Sequence, residues 1–210
     1  MDLLQEISNE LQVGNFKEVH RLTQEALDAG ISASEILRGG LIAGMDIVGD
    51  KFKKDELFIP EVLVAAKAMH AGMEILRPKL VETGAVLTGK VILGTVKGDL
   101  HDIGKNLVRM MMEGGGFQVI DLGIDIASER FIEEVKSRQP DILGLSALLT
   151  TTMSRMKEVI QLLITAGIRN EVKVMVGGAP LTDKFAKEIG ADGYAPDAVS
   201  AVQVAKSLIP

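Results

Sequence analysis

The stretch GTVKGDLHDIGKNLV, residues 94–108, sets one of only three histidines, His101, between Asp99 and Asp102, directly after an apolar run. A glycine turn ahead of a Gly-Lys pair resembles a phosphate loop, whose backbone N–H groups cradle an anion. The spacing does not fit. Five residues rather than four separate Gly98 from Gly104, Asn106 stands where a magnesium-binding hydroxyl belongs, and Asp99 and Asp102 would repel phosphate. Hydrolytic zinc needs at least three protein ligands, whereas His20 and His70 fall on expected helices with no donor set nearby and read as ordinary helix histidines. Ser146 with His101 as base lacks the GxSxG elbow of a nucleophilic serine. Two readings remain. In one, a macrocycle fills the four equatorial positions of a metal and His101 supplies one axial nitrogen, with Asp99 accepting the imidazole's other N–H to fix its tautomer. In the other, Asp99 caps a helix beginning near Ile103 and His101 is a solvated loop residue.

The elements around this loop follow from periodicity. In FKEVHRLTQEALDAG, Phe16, Val19, Leu22, Ala26 and Leu27 recur at steps of three and four, and Gly30 ends that helix. A further helical segment spans about 34–52, and another begins with Pro60 in its first turn. With the start of the chain this makes four helices with short connections, hence an N-terminal four-helix bundle over residues 1–86. The period changes at VETGAVLTGK, read as a linker. From residue 87 to 210, the runs KVILGTV, FQVIDLG, DILGLSA, VKVMVGG and a weaker DGYA alternate with helical stretches at about 103–114, 127–138, 153–167, 182–189 and 197–208. Near-continuous apolar strands between helices predict a parallel sheet covered on both faces. Five such units give an α/β, flavodoxin-like (Rossmann-like) domain. Ligands in such sheets sit beyond the carboxyl ends of the strands, where KGDLHDIG, SALLTTT and GGAPLTD all fall.

Composition excludes whole classes of function. The 210 residues are 47% apolar and 25% charged, enough for a real core. The absence of cysteine removes disulfides, thiolate zinc sites, iron–sulfur clusters and cysteine nucleophiles together. A net charge of -6, with six Phe, one Tyr and no Trp, speaks against nucleic acid, which needs a basic footprint and stacking rings. The start MDLLQEISNELQ is acidic where a signal peptide is basic, and no apolar run reaches the ~20 residues that span a bilayer. The expectation is a cytoplasmic protein that contacts neither membrane nor nucleic acid.

DLHDIGKN resembles the Asp-x-His-x-x-Gly signature of cobalamin-binding domains of the methionine synthase type. Two further motifs of that family follow in order: its Ser-x-Leu as Ser146, Ala147 and Leu148, and its glycine pair as Gly177 and Gly178. The helical region is similar to the cap that accompanies such domains. The resemblance implies a cobalamin whose cobalt takes His101 as lower axial ligand while the displaced nucleotide tail enters the domain. It further implies that Asp99 accepts the histidine N–H, with Thr152, where methionine synthases have serine, continuing the relay. Ser146 and Thr150 correspond to positions near the buried benzimidazole. Gly104, Gly177 and Gly178 leave room for a planar tail against the backbone, and Tyr194, after the last strand, closes over the tail's end. Phe58 and Leu63 match the cap segment over the upper face, although their helical spacing equally suits bundle core. Without a substrate-activating barrel the chain resembles the small corrinoid proteins of methanol, methylamine and methoxyaromatic systems. Such a carrier cycles between cob(I)alamin and methylcobalamin, serving a substrate-specific methyltransferase and a second, methyl-accepting one, with room for a reductive activator. Cap movement would hinge at VETGAVLTG. The alternatives are a cobalamin-dependent sensor and the small cobalamin subunit of a mutase.

Overall fold

A computed structural model describes residues 2–82 and 88–209. The expected boundary at 86/87 and the middle of the expected linker, residues 83–87, lie outside the described residues. The chain separates into two compact units, one carrying the helices up to residue 82 and taking in Glu113–Gly116, the other carrying the sheet.

In the first unit α1 (Leu3–Gln12) starts at an Asp2 cap whose side chain accepts from the Leu4 amide. Helix α2 (Phe16–Asp28) buries Val19, Leu22 and Ala26, three residues of the expected stripe. Phe16 stands at its edge, with the Lys67 ammonium 4.2 Å from its ring centre. The third segment begins at a Ser32/Glu35 capping box and is helical from Ala33 to Lys53, but not uniformly: α3 (Ala33–Glu35) passes into a π-helical stretch, Ile36–Ile42, before α4 (Ala43–Lys53). The widened turn carries Gly39 and Gly40 against α1, so close that a Cβ on either would lie 3.0 Å from Leu4 or Ile7. Helix α5 (Ile59–Glu82) has Pro60 in its first turn and buries Val62, Ala65, Met69, Met73 and Leu76. Phe58 and Leu63, at the start of this helix, are exposed and form no part of the bundle interior.

The second unit alternates strand and helix throughout: β1 (Lys90–Thr95), α6 (Ile103–Gly114), β2 (Gln118–Asp121), α7 (Ser128–Arg138), β3 (Ile142–Ser146), α8 (Met153–Thr165), β4 (Lys173–Gly177), α9 (Asp183–Ile189), β5 (Gly193–Ala195) and α10 (Ala198–Leu208). All strand pairs are parallel, in the order β2-β1-β3-β4-β5. Side chains alternate between the two faces: Ile92, Leu143, Leu145, Val174 and Val176 join Phe131, Met156, Val159 and Ile160 of α7 and α8 in one core, while Val91, Ile142 and Met175 are buried on the other face. The order reverses between β1 and β3, since the chain leaves β1 toward β2 and returns to the far side for β3. At such a switch point the loops beyond the carboxyl ends diverge and open a crevice.

Candidate functional site

The loop after β1 and the loop after β3 meet at that switch point through one carboxylate. Asp99 is fully buried. Its Oδ1 accepts the His101 ring Nδ1–H at 2.7 Å and the His101 amide at 3.1 Å. Its Oδ2 accepts the amides of Leu148 at 2.8 Å and Leu149 at 3.1 Å, and the Thr152 hydroxyl at 2.7 Å. Burial pushes the Asp99 carboxyl up, but the bonds from Thr152, His101 and the Leu148 amide outweigh it and hold the group well below the usual carboxylate range. A carboxylate is an acceptor only, so the imidazole proton sits on Nδ1 and the lone pair on Nε2. The His101 side chain is half exposed, 51%, beside a carboxylate with no exposure at all. Both Asp99 oxygens are spent on these donors. Asp102, not Asp99, flanks α6: its carbonyl accepts the Asn106 amide at 2.7 Å and its carboxylate the Asn106 side chain at 2.9 Å.

Local chain geometry aims the loop. Val96 to Asp99 form a turn closed by the Asp99 amide on the Val96 carbonyl at 3.1 Å, with Gly98 at φ +84 in its third position, where glycine is favoured. The loop after β2 backs it. Asp125 accepts the Gly98 amide on Oδ1 at 2.7 Å and the Lys97 ammonium on Oδ2 at 3.0 Å, and its own amide donates to the Asp99 carbonyl at 3.0 Å. The Gly98 amide and Lys97 together lower the Asp125 carboxyl below its ordinary value. Thr95, fully buried, donates its hydroxyl to the His101 carbonyl at 2.9 Å. Lys105, its side chain 2% exposed, places its ammonium 2.6 Å from both oxygens of Asp121.

Of the residues singled out in the sequence, the structure joins Asp99, His101, Thr152 and, through its amide, Leu148. Ser146, Thr150, Gly104, Gly177, Gly178 and Tyr194 lie outside this hydrogen-bonded set but in the same unit. Ser146 ends β3 and Thr150 is exposed on the following turn. The glycines separate physically. A Cβ on Gly104 would meet nothing within 4 Å, one on Gly177 would sit 3.3 Å from the Ala195 carbonyl, and one on Gly178, at φ +136, would fall 1.9 Å from the Ala147 carbonyl. The protein's own backbone therefore demands glycine at 178, a different reason from the expected tail. Tyr194 lies within β5 rather than after the last strand, opposite Val176, and its hydroxyl donates to the Leu181 carbonyl at 3.0 Å. The lone tyrosine in a short strand gave no sign of that pairing. Phe58 and Leu63 belong to the helical unit.

Thr95, Lys105, Asp121 and Asp125 escaped sequence reasoning. Isolated acids among apolar neighbours, in FQVIDLG and GIDIA, were the available signal.

The loops around His101 fit a large, flat, apolar group. They leave Leu100, Ile103, Ile124, Leu148 and Leu149 exposed, with Ile103 at 87%. Gly104 contributes open space at the same helix start. Among the described residues no three His, Asp or Glu side chains gather as metal ligands. No helix among the described residues is long and apolar enough to cross a membrane.

Comparison with known proteins points the same way. A family model described as B12 binding domain matches residues 89–203, and a second of the same description matches residues 3–77. The chain is 41% identical over 212 residues to a corrinoid protein of Desulfitobacterium hafniense, covering 100% of this chain and 98% of that one. It is 48% identical to a trimethylamine corrinoid protein of Methanosarcina acetivorans, over 88% of this chain and 86% of the relative. Among solved structures it resembles one in the crystal structure of a methanol:cobalamin methyltransferase complex from Methanosarcina barkeri, with TM-score 0.85 and 30% identity over 98% of this chain and 78% of that one.

Proposed function

Given that the chain belongs to the B12-binding corrinoid proteins, we infer that it is a cytoplasmic methyl carrier. It receives a methyl group from a substrate-specific methyltransferase and delivers it to a second methyltransferase, with a reductive activator restoring the cofactor. The carrying observation is the 2.7 Å bond from His101 Nδ1 to buried Asp99 at the switch point of the sheet. The corrinoid supplies, when bound, a cobalt that accepts and releases the methyl group.

His101 would hold the cobalt through Nε2. Asp99 fixes the tautomer that leaves Nε2 its lone pair. Thr152 donates to the second Asp99 oxygen, so the carboxylate holds its charge without a buried cation. Leu100, Ile103, Leu148 and Leu149 would cover apolar cofactor surface and exclude water from it. In the helical unit, Phe58 and Leu63, exposed at the start of α5, would offer apolar surface to the cofactor. Ser146, Thr150, Gly104, Gly177, Gly178 and Tyr194 line the ends of β3, β4 and β5 or the start of α6, where the nucleotide tail would run.

Reconstitution with cobalamin tests this reading. In the Co(II) state the spin-resonance spectrum should carry the nitrogen splitting of a protein imidazole, and His101→Ala should abolish it. Retained benzimidazole coordination, or a chain that takes up no cobalamin, would overturn the reading. Methyl transfer to and from each candidate partner then identifies the donor and the acceptor.

A further inference from the structure

Lys105 sits in the first turn of α6, where sequence logic expects a solvated lysine or a phosphate ligand. It is neither. Its three ammonium protons meet three acceptors: both oxygens of Asp121 at 2.6 Å and the Asn106 side-chain oxygen at 3.1 Å. From there a closed circuit can be followed back to the histidine. Asn106 holds Asp102, which follows His101, through its amide at 2.7 Å and its side chain at 2.9 Å. On the other side Asp121 Oδ1 accepts the Gly123 amide at 2.9 Å, the Gly123 carbonyl accepts the Thr95 amide at 3.0 Å, and the Thr95 hydroxyl donates to the His101 carbonyl at 2.9 Å. The ring thus grips the His101 backbone from both sides, while Asp99 grips its imidazole. Arg109 adds a second cation 3.7 Å from Asp121.

Replacing a buried ion pair by well-packed apolar groups is often neutral for stability, so the energy of folding does not by itself call for one here. Geometry does. An imidazole that engages and leaves a metal repeatedly must return to one position, and the backbone carrying it must not drift. We propose that Lys105, paired with Asp121, is a positioning residue for His101, fixing the histidine backbone for axial ligation. The proposal rests on the carrier reading above.

The test uses the full chain reconstituted with cobalamin and reduced to Co(II), in which the nitrogen splitting of the spin-resonance spectrum gives the fraction with imidazole bound. The variants are Lys105→Met with Asp121→Leu, which removes both charges, and Asn106→Ala, which cuts the same circuit with less burden on the core. The double variant should bind cobalamin and melt close to the wild type, while its ratio of imidazole-bound to unbound cobalt falls about tenfold, the size typical of lost outer support at a metal ligand. Asn106→Ala should show a smaller fall. Wild-type ratios in a folded double variant overturn the proposal; should the double variant not fold, a wild-type ratio in Asn106→Ala overturns it. A wild-type chain without imidazole splitting overturns instead the carrier reading beneath it, so the two failures are told apart.

Discussion

Asp99 and Asp121 stand at the ends of neighbouring strands, both carboxylates drawn out of water, and they are neutralised in opposite ways. Asp121 is met by a buried ammonium at 2.6 Å, with a guanidinium behind it. Asp99 is met by two backbone amides on one oxygen, an amide on the other, a hydroxyl and one imidazole, with no Lys or Arg partner among the described residues. A full counter-charge saturates its partner and leaves a rigid strut. Neutral dipoles stabilise a carboxylate while leaving its charge in force toward the one member of the set that can move or take a proton. That member is His101. Adjacent loops therefore hold their carboxylates differently: the end of β2 pairs one with an ammonium, and the loop after β1 pairs one with an imidazole.

The largest effect should break the strut. Lys105→Met alone leaves Asp121 ionised and poorly compensated, which should lower unfolding free energy by about 3–5 kcal/mol in urea denaturation. Adding Asp121→Leu should recover most of that loss. If the two substitutions simply add, the pair is not the coupled unit described here. Asp99→Asn comes next. An amide offers one acceptor oxygen where the carboxylate had two, and its NH2 must face N–H or O–H donors, so a loss of about 2–3 kcal/mol is expected by the same measurement. A loss under about 1 kcal/mol would mean that the buried donors find other partners, and that Asp99 does not join the two loops.

Much of this was legible in the chain. Runs such as KVILGTV and DILGLSA are apolar at nearly every position because both faces of a parallel strand are buried, and the five strands and their helices lie within a few residues of expectation. The pair Asp99 and His101 was legible because the two residues are close in sequence and share one loop. What escaped depends on contacts that no local pattern encodes. Lys105 and Asp121 are separated by an entire helix and come together only when α6 packs beside β2. The π-helical turn at Ile36–Ile42 carries Gly39 and Gly40 where α1 approaches closely, a tertiary contact that the local sequence does not encode. Gly178 was noticed as half of a motif, yet its necessity lies in the Ala147 carbonyl of the neighbouring strand's loop.

Smaller changes sharpen the contrast at its edges. Thr152→Val removes a hydroxyl donated to a buried carboxylate and should cost about 1.5–3 kcal/mol, whereas Thr152→Ser, which keeps the donor, should cost under about 1 kcal/mol. Asp125 provides the smallest and most specific case. It holds the turn before His101 from outside, through the Gly98 amide and Lys97, and adopts φ 56. Asparagine tolerates that conformation and keeps an acceptor for Gly98, so Asp125→Asn removes the charge and little else. Because the folded carboxyl titrates below its ordinary value, its contribution is complete above about pH 4 and is lost as the pH falls through the folded value. Thermal melting of both proteins should therefore show a modest gap in favour of the wild type at pH 7 that narrows below pH of about 4. An equal gap at both pH values would mean that the charge on Asp125 contributes nothing. The turn would then be held by backbone bonds alone, and the contrast between charge-paired and dipole-held carboxylates would not extend to Asp125.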